Sequence, residues 1–75
     1  MFEERVVLDG GVLLELVFRS HSNFRLACLK EGQLLVEYIN GSRALGGRRS
    51  AYEFKSVEKL RYDFERDAED ALRQG

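Results

Sequence analysis

Val12-Leu13-Leu14-Glu15-Leu16-Val17-Phe18-Arg19, then Ser20-His21-Ser22-Asn23, then Phe24-Arg25-Leu26-Ala27-Cys28-Leu29-Lys30, is the stretch that decides the fold. In the first segment Leu14, Leu16 and Phe18 share one face and Glu15, Val17 and Arg19 the other, the period of two of a half-buried strand. The third segment repeats that period, with Phe24, Leu26 and Cys28 alternating against Arg25, Ala27 and Leu29. The polar residues between them read as a loop. Two such strands in succession predict an antiparallel pair with one face turned to a core.

The same grammar extends outward. Upstream, Phe2 to Leu8 is rich in Val and Leu and ends at Asp9-Gly10-Gly11, a hairpin-turn signal. Downstream, Glu31-Gly32 turns the chain back, and Leu34, Val36 and Tyr38 line one face of a fourth strand that stops at the turn-forming pair Asn40-Gly41. Gly41 to Ser50 holds three glycines and three arginines without an apolar period, so an irregular, mobile loop is expected there. A short strand, Ala51 to Phe54, follows. Ser56 stands at a helix N-cap, and Val57, Leu60, Phe64, Ala68, Ala71 and Leu72 recur at spacings of three and four, one stripe of an amphipathic helix of four to five turns. Lys59 with Asp63, Arg61 with Glu65 and Arg66 with Asp70 are spaced as ion pairs on its solvated sides. The expected architecture is α+β: a small antiparallel sheet of four to five strands packed by one C-terminal helix, a single domain over residues 1–75.

Bulk properties bound the setting. Seventy-five residues support one core. The single cysteine, Cys28, closes no internal disulfide, no N-terminal run resembles a signal peptide, and Glu15 and Glu37 break the apolar stretches well short of a membrane span. A reducing cytoplasm is the expected location. Net charge is −1, so the molecule as a whole does not attract nucleic acid or anionic lipid. The distribution is uneven: residues 41–55 hold one acid against four bases, and the acids prevail on either side.

Chemistry-bearing residues are few. His21 is the only histidine and reads as a loop residue, and Cys28 falls on an apolar strand face where cysteine behaves as a small hydrophobe. No Cys/His cluster supports a metal site, and no cofactor motif is present. Catalytic residues are not assignable. Arg43, Arg48 and Arg49 in the Gly-containing loop, with Arg19 and Arg25 on adjoining strands, form the candidate binding set. Arginine outnumbers lysine nine to three, and its planar fork pairs bidentately with phosphate or carboxylate. RNA or an acidic protein surface would suit such a set, although the helix is net acidic and the aromatic residues are spaced as core residues rather than as stacking platforms. An unpaired sheet edge also invites pairing with a second copy, edge to edge or helix to helix.

The second half carries a family resemblance. Glu37-Tyr38-Ile39-Asn40, Tyr52-Glu53-Phe54-Lys55-Ser56, and Leu60 followed by Asp63-Phe64-Glu65-Arg66-Asp67 resemble the strand end, the strand-to-helix junction and the helix of the TumE-like toxin family. The first half agrees with that family in layout only. The resemblance implies a small toxin of a toxin-antitoxin module, acting on RNA or translation and neutralised by a helix-turn-helix antitoxin. Two departures stand out: Ile39 replaces the family's aspartate, and the family's His-containing loop is here Gly41 to Arg49 with arginines. The strand order and Gly-Arg segment also resemble small phage-encoded inhibitors such as anti-CRISPR proteins, which implies a non-enzymatic inhibitor or adaptor that blocks a partner's nucleic-acid or acidic site.

Overall fold

A computed structural model describes residues 1–74. Six strands follow one another as an antiparallel meander: β1 Phe2–Leu8, β2 Val12–Ser20, β3 Asn23–Lys30, β4 Gln33–Ile39, β5 Ser42–Leu45 and β6 Arg48–Ala51, in that spatial order. A single helix, α1 Val57–Gln74, closes the chain. The α+β class and the C-terminal helix are as the sequence predicts. The strand number is six rather than four to five, because Gly41 to Ser50 is a hairpin and not an irregular loop.

That hairpin forms because Gly46 and Gly47 take φ of +57° and +86°, the left-handed pair a two-residue hairpin turn requires. Ala51 closes β6, and residues 52–56 run without strand pairing into α1. A further correction concerns β4. Between Cys28 and Leu29 the β3–β4 register slips by one residue at Leu35, so Val36 opposes Cys28 while Leu34 opposes Leu29. Leu34 therefore lies on the opposite face from Val36 and Tyr38.

The core lies between the sheet and α1. Leu16, Phe18, Phe24, Leu26, Cys28, Val36 and Tyr38 from the sheet meet Leu60, Phe64 and Ala68 from the helix, all buried. Ser56 caps the helix, its Oγ accepting from the Lys59 amide at 3.1 Å. Phe18 stacks among Phe2, Phe24 and Phe54, each ring 5.6–6.1 Å away, and so ties the first strand and the 52–56 segment to the centre. Along the helix Lys59–Asp63 and Arg61–Glu65 pair as the spacing predicts, whereas Asp70 takes Arg73 rather than Arg66. No helix is long and apolar enough to cross a membrane among the described residues.

Candidate functional site

Cross-strand register assigns four of the five candidate arginines to a face. Arg43 opposes Tyr38 and Arg48 opposes Leu45, which itself opposes Val36, so both belong to the helix side of the sheet. Arg25 opposes Val17 and Ile39, and Arg49 opposes Ala44, which opposes Glu37, so these two belong to the face turned away from the helix. Arg19 is exposed at the irregularity between Phe18 and Ser20. The five arginines therefore do not make one constellation.

On the open face the centre is Glu37. Arg25 Nε donates to Glu37 Oε2 at 2.9 Å, and Arg49 donates to Oε1 at 2.7 Å and to Ser42 Oγ at 2.7 Å. Glu37 is 9% exposed, and Ala27 beside it in the register is 0% exposed, on the face turned away from the helix. The Arg25 and Arg49 side chains lie against Glu37. The hydrogen bond from Arg49, reinforced by Arg25, outweighs burial and holds the Glu37 carboxyl below the usual carboxylate range. The result is two arginine side chains fixed in place, 41% and 49% exposed.

Beside this network runs an apolar row. Val7 opposes Leu13, Leu13 opposes Leu29, and Leu29 opposes Leu34, an aliphatic line across four strands. Val7 is 76% and Leu34 40% exposed. Sequence reading missed this row, since Leu34 joins it only through the bulge at Leu35. It also left Glu37 out of the binding set, since strand register alone brings it to Arg25 and Arg49.

The helix side holds a second polar cluster. The Tyr38 hydroxyl donates to Asp67 Oδ2, Arg43 NH1 lies 3.3 Å from that hydroxyl and 3.5 Å from Asp67, and the Arg43 guanidinium sits over the Tyr38 ring. One turn earlier the Tyr52 hydroxyl donates to Asp63 Oδ2 at 2.7 Å, and Lys59 holds the same carboxylate. The two rings meet edge to face at 4.8 Å. Burial first, joined by the aspartate partners and opposed by Arg43, pushes both phenols far above the ordinary tyrosine value, so both stay protonated donors. For Asp63, burial alone would raise the carboxyl, but hydrogen bonds from Lys59 and Tyr52 outweigh it and lower it. Tyr38, Tyr52, Asp63 and Asp67, four residues of the sequence resemblance, thus clamp α1 onto β4 and the 52–56 segment.

His21 touches Phe54, with ring centroids 6.1 Å apart, and belongs to neither cluster. Cys28 is fully buried, and desolvation raises its thiol. No group of side chains suited to a metal ion is found among the described residues. No family model, curated protein or solved structure matches the chain.

Proposed function

We propose that this chain is a binding protein of the inhibitor or adaptor kind, working inside the cell, that docks the open face of its sheet on a protein partner. The observation that carries the reading is the Glu37 network: Arg25 and Arg49 are held half-exposed beside the aliphatic row Val7, Leu13, Leu29 and Leu34. Arginine is enriched at protein interfaces, and the cores of interfaces are more apolar than the rest of the surface. The register rows of this face carry Arg5, Arg25 and Arg49 against Glu3, Glu15 and Glu37, a balance of sign that a phosphate backbone would not favour.

A second reading, a toxin of a toxin-antitoxin module, is favoured by one observation. Tyr38 with Asp67 and Arg43, and Tyr52 with Asp63, lie side by side through the contact of the two tyrosine rings, so four residues of the TumE-like resemblance form one physical unit. Induced expression of the lone chain in a bacterial host separates the two. The docking reading expects growth equal to that of an Arg43→Ala, Arg48→Ala, Arg49→Ala variant at matched soluble level. Arrest by the native chain, absent from the variant and relieved by an adjacent gene product, would instead establish the toxin reading.

A further inference from the structure

The two edges of the sheet differ. β6 is four residues long and exposed throughout, with Arg48 and Arg49 on it, a charged short edge that discourages pairing. β1 is seven residues long and regular. Phe2, Glu4 and Val6 are half-buried on its helix side, and Glu3, Arg5 and Val7 are exposed on the open side. Its outer backbone groups face no strand of this chain, since β1 ends the sheet.

We infer that β1 is an interface with a second copy of this chain, pairing antiparallel with its own counterpart about a two-fold axis through Glu4. An axis normal to the sheet keeps both helices on the same side, so residues on one face must oppose residues on that same face. That condition leaves registers centred on single residues. Centred on Arg5, the pairing sets arginine against arginine and leaves Glu3 and Glu4 opposite valines. Centred on Val6, it sets Arg5 against Val7 and Glu4 against Leu8. Centred on Glu4, it sets Glu3 against Arg5 twice on the open face and Phe2 against Val6 twice on the helix face, with Met1 against Val7.

Of these three registers, the one centred on Glu4 alone matches charge with charge and apolar with apolar along the strand. Its one like pair is Glu4 with Glu4, and each of those carboxylates is already held through both oxygens by Arg61, at 2.8 and 3.1 Å. That bond lowers the Glu4 carboxyl below its ordinary range and neutralises the centre of the interface. Met1 and Val7, 88% and 76% exposed in the single chain, become paired across it.

Sedimentation velocity over a concentration series tests the register with the native chain, Glu3→Arg, and the double variant Glu3→Arg, Arg5→Glu. The native mass is expected to rise from 8.7 kDa toward twice that value. Glu3→Arg turns two attractive cross-strand pairs into repulsive ones and is expected to weaken association about tenfold. The double variant reverses both pairs and is expected to restore it. Both residues are exposed, and circular dichroism of each variant checks that the fold is kept. A native chain that stays at 8.7 kDa, a Glu3→Arg chain that associates like the native one, or a double variant as monomeric as the single would each overturn the inference.

Discussion

Phe64→Ala is expected to destabilise the domain by about 3–5 kcal/mol, the range for truncating a buried phenylalanine. Phe64 is fully buried at the middle of the helix stripe, with its ring 6.0 Å from that of Tyr38 and perpendicular to it. Because one helix covers the core side of the sheet, no second element can move in to fill the space. A 75-residue chain has roughly 4–11 kcal/mol to lose, so this substitution removes a large share of its stability. Thermal denaturation by circular dichroism should show a fall of more than about 12 °C. A shift within a few degrees would mean that the helix does not hold the sheet as described.

Glu37→Ala is expected to cost about 2 kcal/mol at neutral pH. Breaking a fully buried ion pair costs about 3–5 kcal/mol, but Arg25 and Arg49 are 41% and 49% exposed, so water recovers part of their solvation and the penalty falls. Its pH dependence has a definite sign. The folded Glu37 carboxyl titrates below its unfolded value, ordinarily about 4.3, so the network's contribution is complete above that value and is lost as pH falls through the lower folded one. The native chain and Glu37→Ala should therefore differ in urea midpoint at neutral pH and converge in acid. A gap that persists unchanged in acid would show that the loss is one of packing and not of charge.

Much of the fold was legible because the strands that build the core are long enough to display a period. Leu14, Leu16 and Phe18 in β2, and Phe24, Leu26 and Cys28 in β3, face the helix as their alternation predicts. Ser56 and the stripe from Val57 to Leu72 likewise placed α1. The β5–β6 hairpin was not legible by periodicity, since a four-residue strand offers two residues per face, and one of those on the core side is Arg43, held there by Tyr38 and Asp67. Gly46-Gly47 was the one local signal for it. Within the candidate site, the sequence named Arg25 and Arg49 but not their pairing through Glu37. Twelve residues separate Arg25 from Glu37 and twelve separate Glu37 from Arg49, so only strand register brings them together. The bulge at Leu35 hid the aliphatic row in the same way, by reversing the face of Leu34.

The most direct test of the open face as the docking surface is quantitative affinity capture of the tagged chain from its native host. The comparison is with a double variant, Leu34→Lys with Arg49→Ala, and with Tyr62→Ala on the exposed side of the helix. The expected result is a specific protein retained by the native chain and by Tyr62→Ala, and reduced at least about tenfold, roughly 1.4 kcal/mol, by the open-face variant. Equal retention by the open-face variant, or retention of nucleic acid alone, would contradict it.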